Sequence, residues 1–156
     1  MGRDQELILR PVPLNELVKR VAEALPLRPG VRLDLDLAGD LPRAHLDDKA
    51  AQRAVANVIK NAHEAAPDEG GRIAVSTDLA GGFVRVTVAD NGPGIPEEKR
   101  GRMFEEFTTK TGGTGLGLLV VKKVMDQHRG EVAIESAPGG GTAVTLGFPV
   151  SKNQPR

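Results

Sequence analysis

Asn57, Asn61 and Glu64 stand at i, i+4 and i+7, and at about 100° per residue they share one helix face within roughly 60°. Asn is a weak residue for a helix interior, because its side chain competes for backbone hydrogen bonds. The pattern fits a solvated polar stripe. It also fits a row of oxygen ligands beside a hard cation such as Mg²⁺, which takes few protein oxygens and completes its shell with water and phosphate. Further along, Val84, Val86, Val88 and Asp90 share parity, so a strand there aims a carboxylate at its apolar side. A buried carboxylate needs donors, which an exocyclic purine amine and a water would supply. Thr142 shares parity with Val144, Leu146 and Phe148 and brings a hydroxyl to the same side. Asn91-Gly92-Pro93-Gly94 follows Asp90 at once, allowing a tight turn or a close backbone approach to a ligand. Taken alone, Asp90 would simply cap that turn.

A third constellation, Gly112-Gly113-Thr114-Gly115-Leu116-Gly117, leads straight into an apolar-periodic run. Glycine-rich turns and helix N-termini present backbone N–H groups to anions, so phosphate is the expected guest. The segment lacks both the preceding strand of a dinucleotide fingerprint and the Lys-Ser/Thr of a P-loop.

The elements that must position these residues are legible in the hydrophobic pattern. Leu14, Leu17, Val18, Val21 and Leu25 predict a helix over 14–25, and alternation from Val31 to Leu37 predicts a strand. The apolar positions from Ala51 to Ala62 predict a helix from Asp47 to about Ala66, closed by Pro67. Arg72 to Leu79 and Phe83 to Asp90 flank Ala80-Gly81-Gly82 as a hairpin. Residues 91–114 read as irregular, with one helical turn near Glu97 to Phe104. A helix from Leu116 to His128 and a second hairpin around Pro138 to Gly141 complete the order. The expectation is an α+β, two-layer α/β sandwich: a mixed, mostly antiparallel sheet of about five strands, with helices on one face.

Composition bounds the rest. The 156 residues carry 21 Lys plus Arg against 21 Asp plus Glu, so there is no general basic footprint for nucleic acid. The absence of Cys excludes disulfides and thiolate chemistry. No apolar run approaches the roughly 18 to 20 residues of a membrane span. The expectation is one cytoplasmic domain over 7–150, with disordered ends at 1–6 and 151–156, and without direct membrane contact whether or not a parent protein is anchored.

Taken together and in order, the three constellations resemble the catalytic ATP-binding domain of bacterial two-component sensor histidine kinases, a branch of the superfamily that includes DNA gyrase, Hsp90 and MutL. Asn57-Val-Ile-Lys-Asn61-Ala-His-Glu-Ala65 is similar to the N box, and Asp90-Asn-Gly-Pro-Gly-Ile95 to the first glycine box. Phe104-Glu-Glu-Phe107 is similar to the F box, and Gly113-Thr-Gly-Leu-Gly117 to the second glycine box. Ala62-His-Glu-Ala65 and Phe107-Thr-Thr-Lys110 resemble the nitrogen-regulation, NtrB-like subgroup.

The resemblance implies the Bergerat ATP-binding fold and a role for each matching residue. Asn61 would ligate Mg²⁺ on the ATP phosphates, and Asp90 would receive the adenine amine. Gly92 and Gly94 would let the backbone approach the base, with Thr142 holding a water. Gly113, Thr114, Gly115, Leu116 and Gly117 would cradle the phosphates. Glu64, Ala65, Ile95 and Leu118 would be further nucleotide contacts. Residues from about 96 to 112 would form a lid pinned by Phe104 and Phe107, with Lys110 a contact for the γ-phosphate. Asn57, Asn61 and Lys110 are the residues it assigns to catalysis.

Asn57 stands where the gyrase, Hsp90 and MutL branch carries a Glu that activates water. An amide is no general base, so feeble hydrolysis is expected, with transfer instead to a histidine on a separate dimerisation and phosphoacceptor domain and a response regulator downstream. No acceptor segment is present. His63-Glu64-Ala-Ala-Pro67 is a decoy inside the N box, and His45 and His128 read as structural or surface residues. Ala65 replaces the aromatic that many relatives place beside adenine, which points to modest affinity. Two other readings stand beside this one: a nucleotide-sensing module without transfer, and an anti-sigma-type serine kinase, against which Asn57 argues. The isolated domain is expected to be a monomer.

Overall fold

The computed structural model describes residues 6–94, 114–136 and 139–152, with the side chains of 114–117 outside that description. In chain order the elements are β1 (Arg10–Val12), α1 (Leu14–Ala24), β2 (Val31–Asp36), β3 (Ala44–Leu46), α2 (Asp48–Ala65), β4 (Gly71–Ala80), β5 (Phe83–Asp90), α3 (Thr114–Gln127), β6 (Glu131–Ser136) and β7 (Thr142–Pro149).

Strands β2-β4-β5-β7-β6 form one five-stranded sheet. Only the β2–β4 pair is parallel, as expected of strands joined through a helix, here α2. The other pairs are antiparallel. The β4–β5 hairpin turns on Gly81 and Gly82 at φ of 61° and 85°, the positive-φ pair that a two-residue turn compatible with strand twist requires. A two-stranded sheet, β1 against β3, is an addition to the expected topology.

The core lies between one face of the sheet and the helices. Helix α1 buries Leu14, Leu17, Val18 and Val21. Helix α2 buries Ala51, Ala54, Val55, Val58, Ile59 and Ala62 along one stripe, and packs on β4, β5, β7 and α3. The sheet supplies Ile73 and Val75 from β4, Val84, Val86 and Val88 from β5, and Val144, Leu146 and Phe148 from β7. Each fully buried aliphatic side chain contributes about 1.5 to 3 kcal/mol relative to exposure. On the opposite face the register pair Asp78 and Arg85 forms a bidentate ion pair at 2.7 and 2.6 Å, and Thr87 meets Thr145 at 2.9 Å. Buried Thr77 ties layers together: its Oγ1 accepts from Ala38 N–H at 2.9 Å and donates to Asn15 Oδ1 at 2.8 Å.

The expected elements appear with small shifts of boundary. Helix α3 begins at Thr114, two residues before the expected start at Leu116. The helical turn expected near Glu97 to Phe104 lies outside the described residues. Ser151, grouped with the tail by sequence, is buried and donates its N–H to Arg43 O at 2.8 Å. Among the described residues, no helix is long and apolar enough to cross a membrane.

Candidate functional site

A cavity of about 240 Å³ opens between the last two turns of α2 and the adjoining ends of β5, β7 and β6. Asn61, Glu64 and Ala65 reach it from α2, Asp90 from β5, Gly94 from the loop after β5, Thr142 from β7 and Leu118 from α3. Asp90 and Thr142 are direct register partners, so the shared parity read in each strand brings both side chains to one place. Asn57, one turn earlier on α2, is half-buried and does not line the cavity.

Several residues were not singled out from sequence: Val58, Ala62, Val88, Pro93, Ile134 and Val144 make the apolar wall. The parity of Val88 and Val144 with Asp90 and Thr142 was the available signal. Val58, Ala62 and Ile134 look like any core residue in a linear pattern.

The C-terminal end of α2 is held from outside. The Arg28 guanidinium donates to the His63 and Ala66 carbonyl oxygens at 2.7 Å each, satisfying groups that a helix end leaves open. The Arg28 backbone N–H donates to His63 Nε2 at 3.0 Å. His63 therefore faces this loop, away from the cavity, and burial together with the Arg28 charge lowers its pKa.

Gly92 packs against the same helix end. A Cβ there would lie 2.4 Å from the Ala65 carbonyl oxygen. Its N–H donates to Asp90 Oδ1 at 2.8 Å. Asn91 points elsewhere: its Oδ1 accepts from Arg72 N–H at 2.8 Å and its Nδ2 donates to Gly70 O at 2.9 Å, tying the strand end to β4. Gly141, at φ 83°, approaches so closely that a Cβ would lie 2.0 Å from Asp90 O.

Burial pushes the Asp90 carboxyl above its ordinary value, with the Gly92 and Thr142 N–H groups pulling it back. Asn61 Nδ2 is buried and has no hydrogen-bond partner. An unsatisfied amide on a cavity wall costs stability unless an incoming ligand completes it. The orphaned Nδ2 is a donor and calls for an acceptor such as a phosphate oxygen, while the Oδ1 of the same carboxamide is the kind of oxygen that Mg²⁺ takes beside substrate phosphates, so the residue type fits that ion. Thr114, Gly115, Leu116 and Gly117 form the first turn of α3, whose N-terminus favours negative charge. Ile95, Gly113, Lys110, Phe104 and Phe107 lie outside the described residues.

Comparison with known proteins places the chain's family and fold. Residues 46–152 match the family described as histidine kinase-, DNA gyrase B-, and HSP90-like ATPase. Sporulation kinase E of Bacillus subtilis is 37% identical over 124 residues, covering 79% of this chain and 17% of its own length. The sensory histidine kinase/phosphatase NtrB of Azospirillum brasilense is 45% identical over 97 residues, 53% of this chain and 24% of that protein. The chain thus spans about a sixth to a quarter of the length of these two relatives. Full-length ShkA, solved in complex with AMPPNP, superposes with a TM-score of 0.82 at 28% identity, over 98% of this chain and 33% of that one.

Proposed function

Because the chain belongs to the histidine kinase-, DNA gyrase B-, and HSP90-like ATPase family, we propose that it binds ATP with Mg²⁺ in the cavity between α2 and β5–β7. We further propose that it passes the γ-phosphoryl group to a histidine on a separate phosphoacceptor domain, with a response regulator downstream. The observation that carries this reading is the meeting, in one apolar cavity, of the unpartnered Asn61 amide with the Asp90 and Thr142 pair.

Ionised Asp90 accepts from the exocyclic amine of adenine, and Thr142 beside it holds a water. Gly92 and Gly94 keep the backbone low against the base, while Val88, Leu118 and Val144 enclose it. Asn61 holds Mg²⁺, with Glu64 and Ala65 at the same helix end; when bound, the ion neutralises charge on the phosphoryl oxygens. The start of α3 at Thr114, Gly115, Leu116 and Gly117, together with Gly113, receives the phosphates. Ile95 and Lys110 are assigned the base side and the γ-phosphate.

In transfer, the bond from the γ-phosphorus to the bridging oxygen breaks as one to the imidazole nitrogen forms, and ADP leaves with the bridging oxygen. Asn57 takes no proton from water, so hydrolysis competes poorly. The names of the kinase relatives and the AMPPNP complex of ShkA support this reading. It sets the domain at 7–150, in the cytoplasm, as a monomer without nucleic-acid or direct membrane contact.

The test is calorimetric titration of ATP, ADP and GTP, with and without Mg²⁺, followed by transfer of ³²P from ATP to an added acceptor domain from an NtrB-like kinase. Adenine-selective binding whose Mg²⁺ dependence disappears in Asn61→Ala is the expected result. Absence of binding at millimolar ATP would overturn the assignment.

A further inference from the structure

Behind Thr142 stands Ser136, the last residue of β6 and the register partner of Thr142 across the β6–β7 ladder. It is 9% exposed. Its Oγ donates to the Gly141 carbonyl oxygen at 3.1 Å and lies 3.0 Å from Thr142 Oγ1. A serine hydroxyl has one proton, and a carbonyl can only accept. With that proton given to Gly141, the bond between the two hydroxyls has one available direction: Thr142 donates and Ser136 accepts. The geometry of Gly141 holds the relay in place, since it permits neither a side chain nor an ordinary φ.

Resting on the adenine-nucleotide reading and deepening it, we propose that Ser136 is a specificity-determining positioning residue: by taking the Thr142 hydroxyl proton, it leaves Thr142 and Asp90 facing the base as acceptors only. Both line the cavity. Asp90 when ionised has no proton to give, and Thr142 has spent its own. A water between them that gives both its protons to these oxygens can only accept in turn. The strand ends therefore call for a donor on the base, which the 6-amino group of adenine supplies. A 6-oxo purine puts a carbonyl oxygen against a row of lone pairs, and a buried acceptor without a donor is penalised.

The discriminating pair of ligands is ATP and ITP, which differ at the 6-position and in the proton on N1. Removing Ser136 frees the Thr142 proton to turn toward the cavity and serve a 6-oxo group. The preference of the wild-type chain for ATP over ITP, measured as a ratio of dissociation constants, should fall by about two- to tenfold in Ser136→Ala, the worth of one neutral hydrogen bond. Ser136→Thr, which keeps the hydroxyl, should restore the ratio. In a Thr142→Val background, Ser136→Ala should leave the ratio unmoved, because there is no hydroxyl left to orient.

A purely structural role would weaken ATP and ITP together and leave the ratio where it was. That result, or a ratio change that persists in the Thr142→Val background, overturns the proposal while the nucleotide site stands. Failure of the wild-type chain to bind ATP at all removes both.

Discussion

Asp47 and His128, 81 positions apart, meet through one hydrogen bond: the Asp47 backbone N–H donates to His128 Nε2 at 3.0 Å. With Nε2 accepting, Nδ1 carries the proton and donates to Val124 O at 2.8 Å. The imidazole is 4% exposed and stands edge-on to Phe148, ring centroids 5.4 Å apart. The start of α2 is thereby fastened to the end of α3, the helix whose other end is assigned the phosphates.

The Asp47 carboxylate completes that junction. Its Oδ1 accepts from Ala50 N–H at 2.9 Å as the α2 cap, and its Oδ2 from Ile8 N–H at 2.8 Å. Burial works to raise its pKa, but the hydrogen bonds from the Ala50, Ile8 and Lys49 N–H groups, together with nearby His128, outweigh this and hold it low. Its stabilisation is therefore present above the ordinary carboxylate range and lost on acidification through the lowered value. Asp47→Ala should cost about 1 to 2 kcal/mol at neutral pH, read as a lower urea midpoint at unchanged slope.

His63 makes stability depend on pH in the same direction for the opposite chemical reason. It is a base whose folded pKa lies below its ordinary 6.5, through burial and then the Arg28 charge, with Glu64 opposing. As pH drops through 6.5, the unfolded chain takes up a proton that the folded chain refuses, so stability declines. His63→Gln keeps an acceptor for the Arg28 N–H and has nothing to titrate. Urea midpoints at pH 7.5 and 5.5 should separate less in this variant than in the wild type; equal separations would count against the assignment.

The role proposed for Asp90 makes nucleotide binding depend on pH. Burial raises its pKa, and only the ionised form offers acceptors alone to an adenine amine. Affinity for ATP should therefore be full above that raised value and begin to fail, on acidification, at a higher pH than an ordinary aspartate would impose. Asp90→Asn should weaken ATP by about tenfold or more at neutral pH and abolish the acid limb. A variant that binds as the wild type does would place the base elsewhere.

Gly92 and Gly81 separate a close approach from a bent backbone. Gly92→Ala drives a Cβ to 2.4 Å from Ala65 O, which should force α2 and the β5 end apart, cost about 1 to 3 kcal/mol and reduce nucleotide affinity. Gly81 has φ 61° with nothing within 4 Å of an added Cβ. Gly81→Ala should lose about 1 kcal/mol with ATP binding intact. Thermal melts and titrations on the same samples distinguish the two.

The residues that sequence reads well are those whose partners are set by local period. Asp90 and Thr142 follow from parity on buried strands, and Asn61 and Glu64 from helical spacing, although the same spacing also names Asn57, which does not line the cavity, and Ala65 comes from the family resemblance alone. Three-residue strands such as Arg10–Val12 and Ala44–Leu46 are too short for any period to show, and their pairing is settled only in three dimensions. Leu35 alternates like a core residue yet is 38% exposed, because β2 is an edge strand. Sequence leaves His128 structural or surface; it is structural, and its partner Asp47 carries no local mark of the contact. Ser136 gave no sign at all, since its importance rests on the direction of one proton across a ladder.

The β1–β3 corner gathers both ends of the described chain. Ile8 is bound to Asp47, Val150 bridges Ala44, and Ser151 is bound to Arg43. Arg43 and Asp47 are separated by roughly 13 Å of extended backbone. The domain is accordingly a loop nearly closed in space, and its linear order is one choice among several. A short Gly-Ser bridge across that corner, with new termini cut between Gly81 and Gly82, would give a circular permutant that begins on the central strand β5 and keeps every layer of the fold.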